Sequence, residues 1–210
     1  MPNKPQSGFA LIEALVSIVV VALGILGILG VQMRTMVDTQ TGVRRAQAIR
    51  LIEDLSERTK VNPSALENIN SYVVGWGAAP SPADCKATAC DGAALAASDI
   101  QKWKLLIRGN PLTSIPPLLP QGDATTFLVA DETGAANRRQ LGVMVRWAEN
   151  EREGTNAADN AAYKSVFVPD ATGTAISCPA GFTCHLQYIQ LTSRCSRYVL
   201  SGTPSFYCPY

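Results

Sequence analysis

The feature that most constrains this chain is an uninterrupted apolar run near its N-terminus. From Phe9 to Val31 the sequence reads FALIEALVSIVVVALGILGILGV, and its only charge is Glu13. As a helix that rises about 1.5 Å per residue, this run would span roughly 35 Å, which is enough to cross the hydrocarbon core of a bilayer. The sequence therefore predicts a helix that can span a membrane.

Two common kinds of N-terminal segment fit this run poorly. A cleaved secretory signal has a shorter apolar stretch followed by a small-residue cleavage site, and no clear A-x-A site follows here. A plain signal anchor accounts for the length but not for Glu13. A carboxylate in an apolar helix costs about 2.5 kcal/mol or more at mid-membrane, so such a residue usually marks a function.

A third kind of segment accounts for both Glu13 and the short polar start MPNKPQSG. The stretch GFALIEALVSIVVVALGILGI resembles the class III prepilin signature, in which a short basic leader ends in Gly, Phe follows, and Glu is the fifth residue of the cleaved chain. These residues are Gly8, Phe9 and Glu13. The resemblance implies cleavage between Gly8 and Phe9 by prepilin peptidase on the cytoplasmic side, and N-methylation of Phe9.

The physical role of Glu13 follows from that processing. Cleavage gives Phe9 an amine that is positive at neutral pH, and Glu13 of a neighbouring subunit can neutralise it in an apolar filament core. Gly24, Gly27 and Gly30 form a stripe that permits close helix approach, or alternatively only weakens the helix locally. Major pilins typically carry a proline at the position of Gly30, and this departure argues against a major subunit.

The helix is predicted to continue past the membrane to Val61, since Asn62-Pro63 would end it. Residues 63–92 read as a loop, 93–108 as a short helix, and period-two alternation then indicates strands over 126–130, 140–149, 164–168 and 183–192. The three tryptophans are expected in the core, and the arginines near residue 45 on a solvated face. The residues at helical spacing in the second half of the helix are Ala48, Leu51, Ile52, Leu55 and Thr59, and the three tryptophans are Trp76, Trp103 and Trp147.

The predicted fold class is α+β, with a long helix packed on an antiparallel sheet in a pilin-like lollipop. We expect a leader over residues 1–8, a transmembrane and filament-core helix over 9–33, the amphipathic half of the stem over 34–62, and a periplasmic globular head over 63–210.

The cysteine count predicts disulfides formed in an oxidising compartment, because the six cysteines are even in number and lie outside the apolar run. A zinc site and free buried thiols are the alternatives, but the spacings do not suit zinc pairs, and free thiols are less common outside the cytosol. Fifteen pairings are possible, and we expect the three sequence-local ones, because short loops close readily. These are Cys85–Cys90, Cys178–Cys184 and Cys195–Cys208.

A second resemblance narrows the family. The order GILGILGVQ, a close cysteine pair, ASDIQKWKLLI, LLPQGD and VMVRWAEN is similar to minor pilins of the PilV type. This implies contacts with other minor pilins and the major pilin, residence in the inner membrane and then the pilus, and a part in pilus priming or the tip. A type II secretion pseudopilin and a tip adhesin remain the alternatives.

Other function classes find little support. The net charge is +1 and no GxSxG, HExxH, P-loop or Rossmann pattern occurs, so neither an enzyme nor a nucleic-acid binder is expected. No cofactor or metal is expected.

Overall fold

The computed structural model describes residues 9–78, 85, 87–110, 114–129, 140–149, 168–169, 175–200 and 203–207. Its contacts divide the chain into a first unit, Met1–Val43, and a second unit, Arg44–Tyr210. Helix α1, Phe9–Val61, has 53 residues and ends directly before Asn62-Pro63, where the sequence predicts its end. The domain boundaries expected after residues 8, 33 and 62 stay predictions.

Within the described residues, the second unit combines the last turns of α1, a 3-10 helix and a second α-helix with three small antiparallel sheets. The elements after α1 are a 3-10 helix Ile69–Tyr72, α2 Gly92–Arg108, β1 Asp123–Leu128, β2 Gln140–Trp147, β3 Val168–Pro169, β4 Ala175–Ile176, β5 Thr183–Gln190, β6 Ser196–Leu200 and β7 Thr203–Tyr207. The main sheet has the strand order β1-β2-β5, and β3–β4 and β6–β7 each form a two-stranded sheet. This arrangement confirms the predicted α+β class.

The core of the second unit lies between the last turns of α1, one face of α2 and one face of the main sheet. Core residues on α1 recur at the spacing of one helix face, and those on β2 alternate along the strand, where Gly142 and Met144 on the opposite face are also buried. These side chains form one continuous apolar cluster, as expected for two packed layers. Its largest contributors include Leu51, Ile52, Leu55, Ile100, Trp103, Ile107, Leu141, Val143, Val145 and Trp147.

Helix α2 begins and ends at residues suited to those positions. The Asp91 carboxylate accepts a hydrogen bond from the Ala94 amide at 2.8 Å, which satisfies one free N–H of the first turn. At the other end Gly109 has φ of 76°, and a Cβ there would lie 2.7 Å from the carbonyl oxygen of Ile115. Both the backbone angle and the close approach therefore require glycine at Gly109.

Several expected elements differ in the structure. Strand β1 begins at Asp123 rather than Thr126, because its polar residues are buried through hydrogen bonds to a segment distant in sequence. The loop expected over 63–92 contains the 3-10 helix. Of the third expected strand only its last residue, Val168, lies among the described residues, where it begins β3. Strands β4, β6 and β7 were not expected.

The three tryptophans occupy two kinds of environment. Trp103 and Trp147 are fully buried in the core, as expected. Trp76 is only half-buried, and the guanidinium of Arg146 lies 5.1 Å from the centre of its ring. The expectation that Trp76 is a core residue is therefore wrong, because this indole packs against a charged side chain instead.

Candidate anchor and assembly site

The first unit is an apolar helix whose side chains are not covered by the protein. Every described side chain from Leu11 to Val43 is exposed. Within the described residues, one helix is long and apolar enough to cross a membrane, judged by length and composition. A soluble monomer rarely exposes so large an apolar surface, so this surface belongs against lipid or against other helices.

The carboxylate of Glu13 lies in the second turn of this helix. Phe9 is the first helical residue, and Gly8 lies outside the described residues. The Ser17 hydroxyl donates to the main-chain carbonyl of Glu13 at 2.7 Å, which leaves the carboxylate itself unengaged. No described residue forms an ion pair with the Glu13 carboxylate. A carboxylate in this state is costly in hydrocarbon and is available to a cation from another chain.

The hydroxyl groups along the anchor helix are satisfied within the helix. Ser17 and three threonines each donate to the carbonyl four residues earlier, as Thr35 does to Val31 at 3.0 Å. Such bonds remove the cost of placing a hydroxyl in an apolar environment. Within the apolar run Phe9–Val31, Glu13 therefore differs from Ser17, because no described residue bonds the Glu13 carboxylate.

The glycines of the anchor helix leave open space on its surface. A Cβ added at Gly24, Gly27 or Gly30 would meet no atom within 4 Å. A neighbouring helix could therefore approach closely along this stripe. The alternative of a merely weakened helix is compatible with the same geometry.

At the end of α1, Asn62 joins three segments of the second unit. Its amide nitrogen donates to the Tyr72 hydroxyl at 3.0 Å and to the Gly92 carbonyl at 2.8 Å. Its side-chain oxygen accepts from the Ser64 amide at 3.1 Å. Burial, as the larger cause, raises the pKa of Tyr72 to about 12, although the bond from Asn62 acts in the opposite direction. Asn62, which the sequence predicts at the end of the helix, therefore also joins α1 to two later segments through hydrogen bonds.

A segment near the C-terminus is anchored at the same end of α1. The Arg194 guanidinium donates to the main-chain carbonyls of Lys60 and Val61, at 2.8 and 3.2 Å. These carbonyls belong to the last turn, where a cation also interacts favourably with the helix dipole. The Pro63 carbonyl accepts bonds from the Arg194 and Cys195 amides. The end of the helix is therefore covered by chain from far along the sequence.

The described cysteines of the second unit are all in disulfide bonds. Cys85 is bonded to Cys90 and Cys178 to Cys184, which are two of the three sequence-local pairs expected above. Cys195 is also disulfide-bonded, whereas its expected partner Cys208 lies outside the described residues. None of the cysteines in the described ranges is a free thiol. Nor do the described residues bring together three His, Cys, Asp or Glu side chains that could hold a metal ion.

A buried charge cluster lies where α2, β1 and β2 meet, and sequence reasoning missed it. The Asp123 carboxylate is 3.2 Å from Lys104 Nζ, 3.4 Å from Arg108 Nε and 3.7 Å from Arg146 Nη2. Its Oδ2 also accepts a hydrogen bond from the Gly77 amide at 2.7 Å. Burial lowers the pKa of Lys104, and Asp123 acts against that shift by favouring the charged amine. The alternation of side chains along a strand does not indicate which basic residues, distant in sequence, will lie beside Asp123.

Two comparisons with known families bear on this chain. Residues 3–29 match the model of the prokaryotic N-terminal methylation motif. Residues 30–101 match the family model described as type IV pilin Tt1218. No curated protein and no solved structure matches the chain. Together with the uncovered apolar helix, the two adjoining matches make residues 3–101 similar to a type IV pilin that carries the N-terminal methylation motif.

Proposed function

We propose that this pilin is a minor subunit of the PilV type, which is cut between Gly8 and Phe9, methylated at Phe9 and assembled with other pilins. The observation that carries the proposal is the unengaged Glu13 carboxylate on an apolar helix that no part of the described chain covers. A group of this kind needs a cation supplied by another molecule, and the Phe9 amine of a neighbouring subunit is such a cation.

The assembly step follows from this pairing. In the inner membrane the subunit is held by its apolar helix with the head in the periplasm, and Glu13 and the Phe9 amine each carry an unpaired charge. Transfer into a filament pairs Glu13 of one subunit with Phe9 of the next. Removing one partner of a buried pair costs about 3–5 kcal/mol, so the pair strongly favours one register of packing. We assign the subunit a structural role in priming the pilus, with a position near the tip.

Processing is tested by N-terminal sequencing of the mature chain. The proposal expects methylated Phe9 as the first residue, and replacement of Gly8 by a bulky residue should block cleavage. A mature chain that begins after Gly30 would instead indicate a secretory signal.

The role of Glu13 is tested by Glu13→Gln, which removes the charge and keeps the size of the side chain. Membrane insertion should be intact, whereas the amount of the variant in purified pili should fall about tenfold or more. Ser17→Ala is the matched control, because it removes only the hydroxyl that bonds the Glu13 carbonyl. Equal amounts of Glu13→Gln and wild type in pili would contradict the pairing.

The minor-pilin assignment is tested by deleting the gene. Loss of pili and of twitching motility supports it, and normal pili with loss of protein secretion would indicate a pseudopilin. Normal pilus number with loss of surface attachment would indicate an adhesin. Crosslinking in membranes followed by mass spectrometry should recover other minor pilins.

A further inference from the structure

The charge cluster around Asp123 carries more positive charge than the fold requires. Lys104 is fully buried, contacts Asp123 at 3.2 Å and donates to the Gly75 carbonyl at 2.8 Å. With the Gly77 amide, this one cation is enough to compensate a buried carboxylate. Arg108 and Arg146 add two further charges, and none of the other described residues places an acidic group against them. The cluster therefore has a local charge of +2.

The two arginines act against the charged form of Lys104. The pKa of Lys104 is lowered chiefly by burial; Asp123 opposes this shift, and the positive charges of Arg108 and Arg146 add to it as smaller causes. Like charges near a buried amine raise the free energy of its charged form, and an added anion would remove that penalty.

The two arginines are also the parts of the cluster that a partner can reach. The Arg108 side chain is 34% exposed and that of Arg146 is 21% exposed, whereas Lys104 and Asp123 are inaccessible. The Arg146 guanidinium lies 5.1 Å from the ring centre of Trp76 and 4.3 Å from that of Phe182. Both rings are half-buried, and contact with two rings restricts the movement of the guanidinium. A preorganised cation loses less conformational entropy when it binds an anion.

We propose that Arg108 and Arg146, flanked by Trp76 and Phe182, form a docking site for a carboxylate side chain of an acidic protein segment. We call these four residues the arginine–aromatic site. Charge complementarity selects an anion, and guanidinium groups bind carboxylates with directed, charge-assisted hydrogen bonds. Arginine and large aromatic residues together are typical of energetic centres in protein interfaces.

A protein carboxylate fits this site better than a nucleic acid does. The site has two accessible cations, and the chain as a whole has a net charge of +1, with 18 basic and 17 acidic residues. Nucleic-acid binding depends on many phosphate contacts and on an extended basic surface. A protein segment with one or two acidic side chains can bind without an extended basic surface. The inference does not depend on the minor-pilin assignment, because it concerns only the chemistry of this surface.

The test measures binding of a fluorescein-labelled peptide of alternating Glu and Gly to the full-length chain in an uncharged detergent. A peptide with Gln in place of Glu is the ligand control. Arg108→Gln is the informative variant, because Asp123 keeps Lys104 and the Gly77 amide, although the bond from Arg108 to the Gly77 carbonyl at 3.0 Å is lost together with the charge. Arg50→Gln is the matched control, since it removes the same charge from an exposed position on α1. Circular dichroism and thermal unfolding establish that each variant is folded.

We expect the Glu peptide to bind, the Gln peptide not to bind, and added salt to weaken binding. Arg108→Gln should weaken binding about tenfold, Arg108→Lys should restore part of the loss, and Arg50→Gln should match the wild type. Equal binding by Arg108→Gln and Arg50→Gln, or no binding of the Glu peptide, would overturn the proposal. So would tighter binding of a single-stranded oligonucleotide with the same dependence on Arg108, which would indicate a nucleic-acid partner. If Arg108→Gln is unfolded, Arg108→Lys with the two peptides makes the same comparison.

Discussion

The indole Nε1 of Trp103 donates a hydrogen bond to the main-chain carbonyl of Leu51 at 2.6 Å, and this bond joins helix α2 to the buried turns of α1. Both side chains also belong to the apolar core of the second unit. The bond satisfies the only polar atom of a fully buried tryptophan, which would otherwise be costly to bury.

Trp103→Phe should lower the free energy of unfolding by about 2 kcal/mol, because it removes this bond and leaves a small cavity. Urea unfolding of the full-length chain in detergent, followed by circular dichroism, measures the change. Trp76→Phe is the control, since Trp76 is half-buried and a phenyl ring can still contact Arg146. Similar losses in the two variants would contradict a special role for the Trp103 bond.

The phenyl ring of Phe127 on β1 lies directly over Gly142 of β2. Phe127 is its cross-strand partner, and a Cβ added at Gly142 would overlap the phenyl ring. Gly142→Ala should therefore destabilise the protein by about 1–3 kcal/mol. The double variant with Phe127→Leu should recover part of that loss, because the smaller side chain frees the space. Gly75→Ala is the control, as a Cβ there meets no atom within 4 Å. No recovery in the double variant would show that the Phe127 ring is not the cause.

The sequence predicts the helices of this protein better than its sheet, for a physical reason. Residues such as Leu51 and Leu55 on α1, or Ile100 and Ile107 on α2, recur at helical spacing, so the pattern is local and readable. Strand β1 gives no such pattern, since Thr125 and Thr126 are buried as fully as its apolar residues. They are buried because their hydroxyls donate to the carbonyls of Val74 and Tyr72, which lie far away in sequence.

The same distinction holds for the candidate sites. The prepilin signature is contiguous, so the resemblance alone is enough to predict Gly8, Phe9 and Glu13 as site residues. The arginine–aromatic site is assembled from the loop near Trp76, from α2, from β2 and from the turn before β5. The sequence around Arg146 does not distinguish it from any other arginine in a strand. Arg146 comes close to the rings of Trp76 and Phe182 only in the folded chain.

The disulfide Cys178–Cys184 closes a short loop that carries Phe182 against Arg146. Replacing both cysteines by serine should lower the free energy of unfolding by about 2 kcal/mol, as expected for closure of a loop of this length. The Glu peptide should also bind more weakly, because Phe182 is no longer held beside the guanidinium. The matching double variant of Cys85 and Cys90 should lose stability without affecting peptide binding. Equal binding by both double variants would contradict this link.

We expect His185 to make the stability of the second unit depend on pH. It lies opposite Val145 in the register of β2 and β5, and burial and, secondarily, the positive charge of Arg45 lower its pKa below the usual 6.5. Between the lowered pKa and 6.5 the unfolded chain binds more protons than the folded one, so stability rises with pH across this window. Below the lowered pKa both states are protonated and the folded state bears the full penalty. Above 6.5 both are neutral and the penalty is absent.

His185→Gln should therefore lose less stability than the wild type when the pH is reduced from about 7.5 to about 5. Unfolding in urea at several pH values, with the full-length chain in uncharged detergent, measures this difference. Arg45→Gln should reduce the pH dependence by a smaller amount, because burial is the larger cause of the shift. Arg50→Gln should leave it unchanged. A wild type and a His185→Gln variant with the same pH dependence would show that His185 is not charged unfavourably in the folded state.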